Sequence, residues 1–202
     1  FNQPRFVICD VGMLATLSER EFRTGLAEMI KAGVIADKQL FERLETVTLQ
    51  DLRTDRDLLS ELVYRAIKVK ADIVERDERE SGDRRKLNLG HTLAHAIEKS
   101  SSKMNHGEAV AVGLSLISEV AVRREIMAEK DKRRIDNLLT KFGFSLCPPV
   151  EVRHLLREVK KDKKSEGNQI YIVFPEKIGS CRVEKMAIED FLESFNKKRE
   201  IN

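Results

Sequence analysis

The sequence contains no tryptophan, and aromatic residues make up only 5% of its 202 positions. Its three cysteines, Cys9, Cys147 and Cys181, are scattered and odd in number, which excludes a disulfide framework or a cysteine-rich zinc knuckle. No run reaches the roughly 18 apolar residues of a membrane-spanning helix, and no signal-peptide pattern occurs. The 37 Lys and Arg nearly balance the 34 Asp and Glu, so dedicated nucleic-acid or membrane-surface binding is disfavoured. We therefore expect a cytoplasmic protein.

The residues that are present are mostly aliphatic or charged. Hydrophobic residues make up 41% of the chain, and a core of Leu, Ile, Val and Ala is typical of helical proteins. Alternating apolar residues predict a hairpin over 169–174 and 180–184 and a short strand at 4–10. Apolar periodicity predicts helices over 20–35, 41–45, 57–75, 88–99, 107–124, 129–142, 150–159 and 188–197. The expected fold is mainly α, a bundle-like lobe with a C-terminal hairpin and a short N-terminal strand.

Three of the four histidines lie within 16 residues of one another. His91 and His95 are four positions apart, so both imidazoles lie on one helical face, and His106 opens the most apolar helix. Two histidines one turn apart can share a metal, or one can ligate while the other moves protons, but ordinary packing explains such a pair equally well. With Glu28, the histidines form a possible two-histidine, one-carboxylate metal site that has open positions, as catalytic zinc does.

Two lysines also occupy unusual positions. Glu28 and Lys31 lie on the face of a helix opposite its apolar stripe, as a solvated ion pair or as the lining of a cleft. Lys70 falls inside an apolar stripe, where it either extends to solvent or enters a polar pocket that needs a cation. Basic clusters at 84–86 and 160–164 lack interleaved aromatic residues, so a small anionic substrate explains them better than nucleic acid does.

A set of motifs resembles the 3-dehydroquinate synthase family over essentially all 202 residues. In chain order the motifs are Phe1-Asn-Gln-Pro4, Thr16-Leu17 with Arg20-Glu21, Gly25-Leu-Ala-Glu28-Met-Ile-Lys31, Asp77-Glu-Arg-Glu-Ser-Gly82, Leu87-Asn-Leu-Gly-His91-Thr-Leu-Ala-His95-Ala-Ile-Glu98, His106-Gly-Glu108 and Asp162-Lys163-Lys164. Members of this family have an N-terminal Rossmann-like lobe for NAD and a C-terminal helical lobe for metal and substrate. The resemblance implies that residues 1–202 are the second lobe alone, and the missing initiator Met and orphan first strand fit that expectation.

The resemblance also implies roles for individual residues. Zinc or cobalt would be bound by Glu28, His91 and His106, and His95 would be the catalytic histidine beside the leaving phosphate. The substrate site would contain Lys31, Lys70, Glu80, Arg84, Asn88 and Lys163, with Arg84 and Lys163 serving its carboxylate. The dinucleotide would contact Met13, Leu14, Ala15 and Thr16.

The implied activity is a phosphate-eliminating lyase of the shikimate route to aromatic amino acids. It converts 3-deoxy-D-arabino-heptulosonate 7-phosphate to 3-dehydroquinate and phosphate, with NAD and a divalent metal. A ring hydroxyl is oxidised, phosphate is eliminated, the ketone is reduced, and the ring opens and recloses by an aldol step. The implied partners are this sugar phosphate, the NAD-binding lobe and a second copy in a homodimer, and we expect the chain to be inactive without that lobe.

Three other functions remain open at this point. Another sugar-phosphate cyclase, of the 2-deoxy-scyllo-inosose or valiolone type, would act on a substrate without a carboxylate. A metal-dependent polyol dehydrogenase would not need the phosphate-handling cations. A non-catalytic metal-binding or dimerisation module would keep this lobe without an NAD partner.

Overall fold

The computed structural model of the chain describes residues 5–79, 82–163 and 168–195, without the side chains of 162 and 163. It is mainly helical, as predicted. The α-helices are α1 (Glu19–Ile35), α2 (Lys38–Thr46), α3 (Leu49–Thr54), α4 (Arg56–Arg76), α5 (His91–Ser100), α6 (His106–Arg123), α7 (Glu129–Lys141), α8 (Val152–Lys163) and α9 (Ile188–Glu193). Short 3-10 helices lie at Val11–Thr16 and Asp83–Asn88, and strands β1 (Gln169–Lys177) and β2 (Ser180–Ala187) precede α9.

The helix starts follow local capping chemistry. Ser18 and Glu21 form a capping box at the start of α1, as the spacing in the sequence predicts. Asn105 and Glu108 form another at the start of α6, where the side chain of each accepts a hydrogen bond from the backbone N–H of the other. These reciprocal bonds fix the residue at which each helix begins.

Helix α6 forms the centre of the core. Most of its residues are buried, and residues 109–112 are fully buried, as expected for a helix surrounded by other elements. It packs against α1, α5, α7 and β1. The residues that α1, α5 and α6 place at their shared end therefore rest on the buried core of the molecule.

The predicted C-terminal hairpin is confirmed. Strands β1 and β2 pair antiparallel, with Gln169 opposite Ala187 and Val173 opposite Val183. The backbone N–H of Gly179, in the turn between the strands, donates a hydrogen bond to the carbonyl of Val34. The hairpin is thereby attached to the end of α1.

Several details differ from the predictions. The N-terminal strand is wrong, because residues 5–10 form neither helix nor strand and no other described strand lies beside them to bond their backbone. Helix α8 continues to residue 163, beyond the predicted end at 159, and α3 was not predicted. None of the described helices is both long and apolar enough to cross a membrane.

Candidate functional site

Glycines allow the three central helices to meet at one end. A Cβ at Gly107 of α6 would lie 2.4 Å from the Cα of Thr24 in α1, and a Cβ at Gly113 would lie 2.3 Å from the carbonyl oxygen of Gly90. Both distances are far below van der Waals contact, so only glycine permits this packing. Each close contact lies next to a candidate ligand. His106 precedes Gly107, His91 follows Gly90, and Glu28 lies one turn beyond Thr24.

These contacts bring Glu28, His91 and His106 together. Glu28 Oε1 lies 3.7 Å from His91 Nε2 and 3.6 Å from His106 Nε2. One ligand atom from each of the three residues lies within 4.8 Å of the others. Residues separated by up to 78 positions in sequence thus form a single cluster, and the sequence pattern alone could not fix these distances.

The cluster fits a divalent metal ion. Glu28 Oε1 is buried and has no hydrogen-bond partner among the described residues, although a buried carboxylate oxygen normally has one. Ligand atoms about 2.1 Å from a tetrahedral ion lie roughly 3.4 Å from one another, close to the separations observed. One carboxylate and two imidazoles also leave coordination positions open, as catalytic zinc sites do.

The second oxygen of Glu28 binds Lys31. Lys31 is only 5% exposed, and its Nζ donates to Glu28 Oε2 at 2.8 Å and to the carbonyl oxygen of Leu87 at 3.0 Å. Burial lowers the pKa of Lys31, although Glu28 opposes this effect. Burial raises the pKa of Glu28, but the charge and hydrogen bond of Lys31 and the nearby histidines outweigh it and keep this pKa below its usual value. Glu28 is therefore an anion at neutral pH.

His91 is held in the protonation state that a metal ligand needs. Burial, followed by the charge of Lys31, lowers the pKa of His91 to about 4, so the imidazole is neutral at pH 7. Its Nδ1 lies 3.3 Å from the carbonyl oxygen of Leu89. Since a carbonyl only accepts hydrogen bonds, Nδ1 carries the hydrogen, and the lone pair of Nε2 faces Glu28.

The cluster lies at the edge of a cavity of about 580 Å³, a volume typical of small-molecule sites. Its walls are partly apolar, with Ile35, Ala66 and Ile67 among the lining residues. Seven of the residues predicted from the sequence line it, namely Glu28, Lys31, Lys70, Arg84, Asn88, His91 and His106. Lys70 is exposed at the cavity wall, so its place in the α4 stripe is explained by this opening.

Arg84 reaches the cavity because a buried carboxylate folds the preceding loop. Asp77, which is 7% exposed, accepts hydrogen bonds from the backbone N–H of Gly82 at 2.7 Å and of Arg84 at 3.0 Å. The Arg84 guanidinium donates to the carbonyl oxygen of Glu78 at 2.7 Å. The 3-10 helix that begins at Asp83 thereby directs a cation to the site.

Five other predicted site residues, His95 and residues 13–16, do not line this cavity. His95 is exposed, and its ring centroid is 5.5 Å from that of His91. Met13 is exposed and Thr16 bonds to its carbonyl, whereas Leu14 and Ala15 line a second cavity of about 220 Å³. Glu80 and the side chain of Lys163 lie outside the residues that the structure describes.

Comparison with known proteins identifies the family. A family model described as 3-dehydroquinate synthase C-terminal matches residues 25–165. The chain belongs to the 3-dehydroquinate synthase family. It is 42% identical over 195 residues to a 3-dehydroquinate synthase of Pelobacter propionicus, covering 95% of this chain and 54% of the relative. It is also 42% identical over 188 residues to one of Prochlorococcus marinus, covering 91% of this chain and 51% of the relative. The chain thus spans about half the length of these relatives.

Two solved cyclase structures have a similar fold. A 2-epi-5-epi-valiolone synthase of Streptomyces hygroscopicus, solved with NAD+ and Zn2+, matches with a TM-score of 0.77 at 24% identity, over 93% of this chain and 54% of that one. A 2-deoxy-scyllo-inosose synthase matches with a TM-score of 0.78 at 20% identity, over 97% and 55%. At 20–24% identity, these matches show that this 3-dehydroquinate synthase family member shares their fold, and no more.

Some site residues of this family member have no role that the sequence predicts. Asp77 and Glu98 lie inside the family motifs, but neither matches a predicted function. The signal for Glu98 is its spacing, because it follows His91 by seven residues and shares its helical face. Asp77 gave no comparable signal, since its buried backbone contacts depend on how the loop folds.

Proposed function

We propose that this chain is the metal- and substrate-binding part of a 3-dehydroquinate synthase, which converts 3-deoxy-D-arabino-heptulosonate 7-phosphate to 3-dehydroquinate and phosphate. One observation carries the proposal. The cluster of Glu28, His91 and His106 borders a cavity that three cationic side chains also line. The two relatives at 42% identity are 3-dehydroquinate synthases, which favours this substrate over those of other sugar-phosphate cyclases.

Glu28, His91 and His106 would hold zinc or cobalt. When bound, such an ion would supply a Lewis acid for the oxygen on the carbon that is oxidised and for later enolate charge. Around this position, Lys31, Lys70 and Arg84 present positive charge to a substrate that carries both a phosphate and a carboxylate. Cations at separate points of the cavity hold an anionic substrate in one orientation through successive steps.

We assign proton transfer during phosphate elimination to His95. It is on the same helix as His91, one turn further along, and its exposed ring is free to meet a phosphate beside the three candidate ligands. An imidazole exchanges protons near neutral pH, as elimination beside a ketone requires. Lys163 and Glu80 belong to the same proposal as substrate-site residues.

The proposed NAD site involves the part of the relatives that this chain does not match. We propose that NAD is bound by an N-terminal lobe and touches residues 13–16, where Leu14 and Ala15 line the second cavity. Both cavities border α1 and α4, with Phe22 and Leu59 at one and Met29 and Ala66 at the other. A cytoplasmic homodimer of the complete two-lobe protein is part of the same proposal.

The proposal predicts activity only when both lobes are present. We expect the 202-residue chain to release no phosphate from the heptulosonate phosphate with NAD and zinc. A chimera that joins it to the unmatched N-terminal part of the Pelobacter propionicus relative is expected to release phosphate, and the same chimera with His91→Ala is expected to be inactive. Phosphate release from the chain alone, or its absence from a chimera that binds both NAD and zinc, would contradict the proposal.

The second candidate is a cyclase for a sugar phosphate that lacks a carboxylate, which the fold of the valiolone and inosose synthases supports. Arg84 at the cavity favours the carboxylate-bearing substrate. Assaying the chimera with glucose 6-phosphate tests the inosose type, whose synthase was solved with carbaglucose 6-phosphate, because the first candidate predicts no cyclisation of that sugar.

A further inference from the structure

Glu98 lies beside one candidate metal ligand. Its Oε1 is 3.0 Å from His106 Nδ1, within hydrogen-bond distance. Helix α5 provides both His91 and Glu98 on one face, seven residues apart, while His106 comes from α6. The same helix therefore supplies one ligand and a carboxylate that contacts another.

His106 needs such a contact more than His91 does. The side chain of His106 is 43% exposed, against 15% for His91, so surrounding side chains constrain its ring less. A hydrogen bond from Nδ1 to Glu98 fixes both the ring orientation and the position of the proton. The lone pair of Nε2 then points toward Glu28 Oε1, 3.6 Å away.

We propose that Glu98 is a positioning residue, whose carboxylate orients His106 and raises the basicity of its Nε2 for a divalent metal. The carbonyl of Leu89 plays the corresponding part for His91. Carboxylate or carbonyl acceptors behind metal-binding histidines commonly perform both tasks. The inference rests on the proposed metal site and adds a residue that does not itself touch the ion.

The test is a Co2+ titration of the 202-residue chain, followed by its visible absorption and by competition with a chromophoric chelator. Loss of an outer-shell partner typically weakens metal binding about 10- to 100-fold, which we expect for Glu98→Ala. Glu98→Gln keeps an acceptor oxygen but lacks the charge, so its dissociation constant should lie between those of Glu98→Ala and the wild type. Glu193→Ala removes an exposed carboxylate from α9 and should match the wild type.

The visible bands provide a readout of coordination geometry that a change in stability alone would not produce. We expect Glu98→Ala to alter the band positions or intensities at saturating Co2+, with metal-free thermal unfolding close to that of the wild type. Wild-type affinity and spectrum in both Glu98 variants, or in Glu98→Gln if only that protein can be purified, would overturn the inference and leave the metal site standing. Failure of the wild type to bind Co2+ would overturn the metal site and the inference together.

Discussion

Replacing His91 with alanine is expected to raise the dissociation constant for zinc or cobalt by more than about 100-fold, because the loss of a ligand should exceed that of an outer-shell partner. His91 is the most buried of the three proposed ligands, and it is neutral at pH 7 because burial and Lys31 lower its pKa to about 4. Isothermal titration of the metal-free chain with zinc measures the change directly.

A matched control is available on another helix. His154 lies exposed on α8, so His154→Ala removes an imidazole without touching the cluster and should keep the affinity of the wild type. Equal zinc affinity in His91→Ala and His154→Ala would show that the histidine cluster does not bind the metal.

Gly107→Ala is expected to destabilise the chain by about 3 kcal/mol or more, at the upper end of the cost of overpacking. The added methyl group would meet the backbone of Thr24 at 2.4 Å, and backbone atoms cannot move aside as the end of a flexible side chain can. Either α6 separates from α1 or the fold is lost. In both cases His106 moves away from Glu28, so metal binding should weaken with stability.

Gly25→Ala is the control for this substitution, with an effect of opposite sign. Gly25 lies on the exposed side of α1, one residue from Thr24, and no atom lies within 4 Å of a Cβ added there. Alanine in a helix interior should stabilise the chain by about 0.5–1 kcal/mol. Urea denaturation of both variants gives the two values, and similar stability for Gly107→Ala and Gly25→Ala would refute the close contact between α1 and α6.

The sequence predicted the elements better than the contacts between them. The helices and the hairpin follow from apolar spacing and capping residues, which act within a few positions. The shared face of His91 and His95 follows in the same way. By contrast, the contact of Gly107 with Thr24 depends on how two distant helices pack, and the sequence shows only a small residue there.

The site residues show the same division. The sequence placed Glu28 with the two histidines as a hypothesis, because a carboxylate is a suitable metal ligand. The roles of Glu28, Lys70 and Arg84 in the site came from the resemblance to the family. Their meeting at one cavity depends on the tertiary fold, including the loop that Asp77 folds through buried backbone bonds. The N-terminal strand was wrong because a strand needs a partner, and residues 5–10 have none among the described strands.

The most direct test of the metal site is anomalous diffraction from crystals of this chain grown with zinc. We predict one strong anomalous peak at the zinc edge, about 2.0–2.2 Å from Glu28 Oε1, His91 Nε2 and His106 Nε2. A peak held by other residues, or no peak between these three side chains at saturating zinc, would contradict it.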